Sequence, residues 1–316
     1  MRRTQWTIVA AAVTAAATLG LIGCAATKAG PEPLQELPLQ TGSGGEVSQA
    51  PSEWANPPAA APGDPAPTKR SPGALGISVN VQQVVRQTSR NATAAAVVVD
   101  RDSGTELVSQ NADRQFYAGS LVKLLVAVDA FLYHPDDPQL RRQINTMIRL
   151  SDDHICNQLW MDGGGGRAII GRMTKAMGLT GTEPPKTRPG QWGDTLITAH
   201  DLVRIYDYIV DEAPATIRMD MLAAMGNAAK FGSDDFFQHF GIPSAVNKHW
   251  AIKQAWTDNS QAVSVHSTGL VDPQGRRGTW RYTVILLTEH PKPQTYEAAA
   301  KSATEAAQAV APLLEP

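Results

Sequence analysis

Apolar and polar positions alternate along two parts of the chain in the pattern of paired strands. The run Thr93–Asp100 is small and β-branched, and after the turn sequence RDSGT a shorter alternating run covers residues 106–109. Residues 262–269 and 279–288 repeat this pattern on either side of the turn sequence DPQGRRG. Because Gly, Asp and Pro in such connections are typical of tight turns, we predict two antiparallel strand pairs.

Between the two strand pairs, apolar residues recur at helical spacing. We predict helices over residues 121–133, 139–150, 152–161, 167–177 and 199–210, and a final alanine-rich helix over 295–314. Strands from both ends of a domain with helices between them indicate an α+β fold. In this fold one antiparallel β-sheet is flanked by terminal helices and carries an inserted all-helical lobe, and the cleft between sheet and lobe is the expected site.

The first part of the chain does not fit this domain. Two arginines precede an apolar run over residues 8–22, which is short for a membrane span, so residues 1–23 are predicted to be an export signal. Residues 24–73 are rich in Pro, Ala and Gly and lack apolar periodicity, which predicts a disordered tether. The folded domain is therefore expected over residues 74–316.

Charge and cysteine content narrow the function classes. Lys and Arg number 28 against 30 Asp and Glu, for a formal net charge of −2, and no basic run lies outside the tether. We therefore expect no nucleic-acid partner. The chain has two cysteines, Cys24 and Cys156. Free cysteines are usually buried and behave as small hydrophobes, so Cys156 is predicted to be a buried thiol on a helix.

A polar pair interrupts the apolar sequence YAGSLVKLLVAVDAF, which opens the first central helix. Ser120 and Lys123 are three residues apart, so on a helix they share one face and lie within reach of each other. That arrangement suits a serine nucleophile with a lysine base. The alternative is a helix-capping serine followed by a solvated lysine.

Two further polar clusters follow in the chain, Ser151-Asp152-Asp153 and Lys253-Gln254-Ala255. With Ser120-x-x-Lys123 they resemble, in order, the Ser-x-x-Lys, Ser-Asp-Asn and Lys-Thr-Gly motifs of serine β-lactamases and penicillin-binding proteins. The hairpin before Ser120 and the last strand pair resemble the corresponding parts of class A β-lactamases. More narrowly, the chain resembles actinobacterial alanine-rich lipoproteins of the LppW type, through Ser-Asp-Asp and through IKQAW followed by HSTG.

The resemblance implies a role for each matching residue. Ser120 would attack a carbonyl carbon, with Lys123 as its base. Ser151 would relay a proton toward a leaving amine, and Lys253 would bind the carboxylate of the substrate. The oxyanion would lie between the backbone N–H groups of Ser120 and Trp256.

Several positions depart from the motifs of these families. Gln254 and Ala255 replace the Thr and Gly of the third motif, and Ala255 with the bulky Trp256 is expected to narrow the substrate cleft. Asp153 replaces an asparagine whose amide donates a hydrogen bond to substrate, whereas an ionised carboxylate has no proton to donate. We expect Asp153 to pair with Lys123 and to hold it charged, which weakens Lys123 as a base.

A further carboxylate bears on hydrolysis of the acylated serine. Glu183 precedes a proline in a Pro/Gly-rich connection, as does the class A glutamate that positions the deacylating water. The connection is short, however, and the alternative is a plain exposed glutamate. Efficient β-lactam hydrolysis is therefore not expected.

Other polar clusters do not predict a cofactor. Asp152, Asp153 and His154 are adjacent, so on a helix they point about 100° apart, and no second cluster has metal-ligand spacing. We predict neither a metal nor an organic cofactor. The four glycines at residues 163–166 lack the Gly-Lys-Ser/Thr of a phosphate loop and predict a hinge that ends a helix.

The N-terminal sequence Leu-Ile-Gly-Cys, ending at Cys24, resembles the lipobox of bacterial lipoproteins. This implies cleavage before Cys24, acyl chains on its sulfur, and anchoring to the outer face of the cell membrane; the alternative is an ordinary signal peptide. Two functions remain open. One is a serine acyl-transfer enzyme acting on a peptidoglycan-type peptide or amide, with a β-lactam as a related ligand. The other is an inactive lipoprotein that binds a cell-wall component or a partner protein.

Overall fold

The computed structural model describes residues 79–272 and 280–315. The predicted export signal, Cys24, the tether and most of the turn sequence DPQGRRG lie outside these residues, so their predictions stay untested.

One antiparallel sheet organises the described part of the chain. Its five strands lie in the order β2-β1-β7-β6-β5, and a separate pair is formed by β3 and β4. The strands are β1 Thr93–Asp100, β2 Thr105–Gln110, β3 Phe116–Tyr117, β4 Leu196–Ile197, β5 His249–Asp258, β6 Ala262–Asp272 and β7 Tyr282–Pro291. Because β5 is an edge strand, the Lys253 motif that it carries lies at one border of the sheet.

Helices cover both faces of this sheet. They are α1 Val81–Thr88, α2 Val122–Tyr133, α3 Pro138–Leu150, α4 Asp153–Asp162, α5 Gly165–Met177, α6 Ala199–Asp207, α7 Ala215–Gly226, α8 Ile242–Ala245 and α9 Tyr296–Val310. Within residues 79–272 and 280–315, none of the helices has the length and apolarity needed to cross a membrane. The predicted α+β class, with a helical lobe inserted between strands and helices near both termini, is confirmed.

The period of two along the strands divides the core between the two faces. In β1, Ala95 and Val97 belong to the apolar cluster shared with α2–α7, whereas Ala94, Ala96 and Val98 belong to the cluster shared with α1 and α9. Five of the eight residues of β1 are therefore buried and none is fully exposed, and its sequence lacks the polar alternation of a strand with one face in solvent.

Some element boundaries differ from the prediction. The last strand runs over Tyr282–Pro291 instead of 279–288, and the predicted helix over 199–210 ends as α6 at Asp207 before a π-helical turn. Helix α7 was not predicted, since methionine and leucine occur around its whole circumference instead of along one stripe. The glycine hinge is confirmed: Gly163 ends α4, and Gly164, at φ +85°, precedes α5.

Gly241 lies very close to Ser267 on β6, and substitution of this glycine provides a test of the packing. Its φ of 66° and ψ of −125° belong to a region open mainly to glycine, and an added Cβ would lie 2.1 Å from Ser267 Oγ. The Gly241→Ala substitution should therefore lower the free energy of unfolding by about 3 kcal/mol. Gly178→Ala is the matched control, because Gly178 also has φ +66° but a Cβ there meets nothing within 4 Å.

Urea denaturation of the intact protein, followed by circular dichroism, measures both changes. We expect the control to lose only about 1 kcal/mol, the usual difference for a residue forced into the left-handed region. Equal losses at the two positions would contradict the steric argument.

Candidate active site

Ser120 lies in a 3-10 turn, Gly119–Leu121, that leads directly into α2. Gly119 has a φ of +50°, and an added Cβ would lie 3.2 Å from Thr257 Cγ2 and 3.4 Å from Ala255 Cβ. The turn is thus pressed against edge strand β5. This contact brings the first predicted motif beside the third.

Lys123 is the centre of the hydrogen-bond network. Its side chain is fully buried, and Nζ lies 2.8 Å from Ser120 Oγ, as the three-residue spacing predicted. Nζ also donates to the backbone oxygen of Ser151 at 2.8 Å and lies 3.3 Å from Ser151 Oγ. A buried amine needs such partners, because leaving its polar hydrogens unpaired away from water is unfavourable.

Ser151 joins the two lysines. It ends α3 in the left-handed conformation, at φ 55° and ψ 38°, which is uncommon for a residue other than glycine. Lys253 Nζ lies 2.9 Å from Ser151 Oγ and donates to Gln254 O at 2.8 Å, and its side chain is 1% exposed. Burial and the neighbouring Lys123 hold the pKa of Lys253 well below its usual value.

Asp153 is the first residue of α4 and the one carboxylate in direct contact with this network among the residues described. Its Oδ1 lies 2.5 Å from Lys123 Nζ, and its side chain is 66% exposed. The expected ion pair between Asp153 and Lys123 is therefore formed at the solvent side of the network.

Trp192 covers the network from a 3-10 turn, Trp192–Asp194, in the connection between α5 and α6. Lys123 Nζ lies 4.6 Å from the centre of the indole ring, a cation–π contact, and the indole N–H donates to Asn157 Oδ1 at 2.7 Å. Gly193 lies against Gly119. Ser120 is 5% exposed as a result of this close packing. No sequence period marks such a connection, so Trp192 was not predicted as a site residue, and neither was its partner Asn157 on α4.

The side chains of the third motif alternate between the two faces of β5. Lys253 and Ala255 face the helical lobe, whereas Gln254 and Trp256 face the opposite side. Gln254 Nε2 donates to Phe240 O at 2.6 Å, and its Oε1 accepts from the backbone N–H of Thr268. Ala255 lies against Gly119, as expected for a residue at the cleft.

The indole of Trp256 is therefore not where the sequence placed it. It packs against Phe236, with ring centres 4.9 Å apart, and its N–H donates to Asp234 Oδ2 at 2.7 Å. Its side chain does not narrow the cleft, because it is an odd number of residues from Lys253 and so points to the other face. Counting residues from Lys253 is the signal that predicts this direction.

A loop after α7 crosses from the helical lobe to this edge strand. Ser233 N–H donates to Leu150 O at 2.8 Å, and the next residue, Asp234, accepts from Trp256. The loop thus connects the end of α3, just before Ser151, with β5. It covers the border of the site beyond Lys253.

Glu183 lies apart from these contacts. Its backbone pairs with Leu196, and its carboxylate binds Lys186 at 2.6 Å and Gln115 at 3.1 Å. The Lys186 and Gln115 side chains lower the pKa of Glu183. Among the contacts in the described ranges, none joins Glu183 to Ser120 or Lys123. The structure does not bring it into the serine-lysine network.

His266 supports the approach to the nucleophile. It is fully buried on β6, and its Nε2–H donates to Tyr117 O at 2.9 Å, three residues before Ser120. Its Nδ1 accepts from the backbone N–H of Thr288. Burial lowers the pKa of His266 to about 4, so the ring is neutral at pH 7 and both bonds are kept.

Metal ligation has no support in the described part of the chain. No group of three or more His, Cys, Asp or Glu side chains there is arranged to hold a metal ion. Asp152 caps α4 by accepting from Ile155 N–H at 2.9 Å, while Asp153 turns to Lys123. The two adjacent carboxylates therefore have separate structural partners.

Cys156 is buried beneath the site on α4, which confirms its predicted burial. Burial is the main cause that raises the pKa of its thiol to about 12. We expect iodoacetamide at pH 8 to leave Cys156 unmodified in the folded protein and to alkylate it in 6 M guanidinium, because only the thiolate reacts. Peptide mapping distinguishes Cys156 from Cys24. Rapid alkylation in the folded protein would contradict a buried, protonated thiol.

Comparison with known proteins adds to this geometry. No protein-family model matches the chain. Over 231 residues the chain is 28% identical to the LppW proteins of Mycobacterium tuberculosis and Mycobacterium bovis, which are named as lipoproteins. The matched region covers 70% of this chain and 70% of each relative.

Solved structures share the fold at low sequence identity. A class A β-lactamase from Bacteroides cellulosilyticus matches with a TM-score of 0.59 and 14% identity, over 74% of this chain and 97% of that one. PBP-A matches with a TM-score of 0.54 and 20% identity, over 72% of this chain and 94% of that one. The predicted resemblance is confirmed: the chain has the fold of class A β-lactamases and penicillin-binding proteins and is similar to the LppW lipoproteins.

Proposed function

We propose that the protein is a membrane-anchored lipoprotein of the cell envelope whose folded domain transfers an acyl group to Ser120. The substrate class is a peptide or amide of the peptidoglycan type. The observation that carries this proposal is the 2.8 Å contact between Lys123 Nζ and Ser120 Oγ, inside a buried network that includes Ser151 and Lys253. Such a contact has the geometry of an activated nucleophile.

Two independent observations support the lipid anchor. The lipobox-like sequence ends at Cys24, and the relatives matched over 70% of this chain are named lipoproteins. Acyl chains on Cys24 would hold the domain at the outer face of the cell membrane. This location would bring the Ser120 site to cell-wall peptides.

We expect the acyl group to stay on Ser120 or to be hydrolysed only slowly. Hydrolysis of an ester on Ser120 needs a positioned water, and Glu183 binds Lys186 and Gln115 instead of the Ser120 network. A variant of PBP-A has been solved as an acyl-enzyme with penicillin G, so this fold can hold such an intermediate. We therefore favour acyl transfer over rapid β-lactam hydrolysis.

The second candidate function is an inactive domain that binds a wall component or a partner protein. Two observations favour it. Ser120 is only 5% exposed beneath the Trp192 connection, and Asp153 Oδ1 lies 2.5 Å from Lys123 Nζ, where it competes with Ser120 for the amine. The two candidates differ in whether Ser120 reacts.

Intact-protein mass spectrometry distinguishes them. After incubation with a fluorophosphonate, we expect one covalent adduct that is absent in Ser120→Ala, because Lys123 can activate this hydroxyl. Lys123→Ala should lower the labelling rate at least ~100-fold, the usual scale of base catalysis. The matched control is Lys175→Ala, an exposed lysine on α5 whose loss should leave the rate unchanged.

A parallel incubation with penicillin G separates recognition of β-lactams from general serine reactivity. An unlabelled Ser120 with both reagents, in a protein with a normal circular dichroism spectrum, would reject acyl transfer and support the binding role.

Trp192 should limit the rate of this labelling. Its ring lies over Lys123 and is held by one hydrogen bond to Asn157, so Trp192→Ala should raise the fluorophosphonate rate by about tenfold, the effect of roughly 1.4 kcal/mol. Trp192→Phe keeps an aromatic face but loses the N–H donor, and we expect a smaller increase. An unchanged rate in Trp192→Ala would indicate that the connection does not restrict access.

A further inference from the structure

The two buried lysines of the site share one hydroxyl group. Lys123 Nζ lies 3.3 Å and Lys253 Nζ 2.9 Å from Ser151 Oγ, so their separation cannot exceed the sum of these contacts. Both side chains are at most 1% exposed. Two positive charges this close and this poorly solvated repel strongly. We therefore expect the pair of lysines to carry one positive charge in total, with one amine protonated and the other neutral.

The contacts of Lys123 fit the charged form. Asp153 Oδ1 lies 2.5 Å from its Nζ, and Ser151 O accepts at 2.8 Å, so two of the three N–H groups of an ammonium meet oxygens that can only accept. The third N–H is shared between two hydroxyl oxygens, Ser120 Oγ at 2.8 Å and Ser151 Oγ at 3.3 Å. Among the described residues, Lys123 has a carboxylate within 4 Å of its Nζ and Lys253 has none, so the surroundings of Lys123 are the ones that match an ammonium ion.

The contacts of Lys253 fit the neutral form. One N–H is needed for Gln254 O, and the remaining close partner is the Ser151 hydroxyl, which can donate to the lone pair of an amine. Ser151 then accepts from Lys123 and donates to Lys253, so both of its roles are used. No ion pair of the described residues includes Lys253, in contrast to Lys123.

Several titratable groups face Lys253 from the elements packed around it. They are Lys123 on α2, Asp153 and Cys156 on α4, Asp234 in the loop after α7, and Tyr206 on α6, whose hydroxyl meets Thr268 beside Lys253. Asp153 and Asp234 favour the protonated form of Lys253, but burial and the charge of Lys123 oppose them and are the larger causes. The pKa of Lys253 accordingly lies well below its usual value.

We propose that Lys253 rests as a neutral amine and is the proton acceptor that discharges Lys123 through the Ser151 hydroxyl. The Lys123 ammonium gives a proton to Ser151 Oγ while Ser151 gives its own proton to Lys253. Lys123, now neutral, takes the proton of Ser120 as Oγ forms its bond to the substrate carbonyl carbon. When the C–N bond breaks, the leaving nitrogen takes a proton from Ser151, which Lys253 replaces.

This role differs from the carboxylate binding that the family resemblance implied for Lys253. Its amine points inward to Ser151 and Gln254 O, and its side chain has almost no exposed surface for a substrate carboxylate. The relay rests on the proposed acyl transfer at Ser120, whereas the resting charge of Lys253 does not.

Lysine NMR on the intact protein tests the resting charge without requiring a reaction. With ¹³Cε- and ¹⁵Nζ-labelled lysine, Lys253→Met and Lys123→Met assign the two signals by their disappearance. At pH 7 we expect neutral-amine shifts for Lys253 and ammonium shifts for Lys123, with exposed Lys175 as the charged reference. In Lys123→Met, Lys253 should titrate at a higher pH, because a neighbouring positive charge has been removed. An ammonium signal for Lys253 at pH 7 would overturn the proposal.

Labelling kinetics test the relay itself. The fluorophosphonate rate at Ser120 should rise with pH at the same midpoint that NMR gives for Lys253, and Lys253→Arg, permanently charged, should lower it at least tenfold at pH 7. Lys175→Arg is the matched control. A neutral Lys253 in a protein whose Ser120 is never labelled would support the charge assignment and reject the proposed function. Labelling with a different midpoint would reject the relay alone.

Discussion

The structure of the site depends on burying the amine of Lys123. A lysine with no exposed surface must find acceptors inside the protein, and here they come from its own helix turn, from Ser151 and from Asp153. These contacts join α2 to the connection before α4. The contact between Ser151 Oγ and Lys253 Nζ continues the network to edge strand β5, so the two amines together connect the helical lobe to the sheet.

Part of this site could be predicted from the sequence, because Ser120 and Lys123 are close in the chain and the three motifs follow one another in a known order. The spacing of Ser120 and Lys123 brings the side chains together by helix geometry alone, and the strand pairs follow from alternation and turn residues. The bringing together of Ser151 and Lys253 followed only from the resemblance to a known fold. Ser151 and Lys253 are 102 positions apart in the chain, and no local sequence pattern predicts that they form a hydrogen bond. Their contact is determined by tertiary packing.

The parts that were not predicted lie in irregular connections. Trp192 covers Lys123 and Asp234 holds Trp256 because of loop conformations that no periodicity encodes. Glu183 illustrates the same limit, since a matching neighbour in sequence did not bring its carboxylate to the network. The direction of Trp256 was predictable in principle from strand parity, because positions 253 and 256 point to opposite faces.

The departures from the family motifs change which polar side chains face the Ser120 site. Asp153 in place of an amide adds negative charge beside Lys123, and Gln254 in place of a threonine binds Phe240 O and the backbone N–H of Thr268 on the other face of β5. Neither of these side chains is left as a free donor toward the Ser120 site, while the contact between Ser120 and Lys123 is kept. Similarity of fold at 14–20% identity does not by itself identify a substrate. The acyl donor of the proposed reaction would therefore be recognised by contacts other than a carboxylate on Lys253, whose amine is buried against Ser151 and Gln254 O.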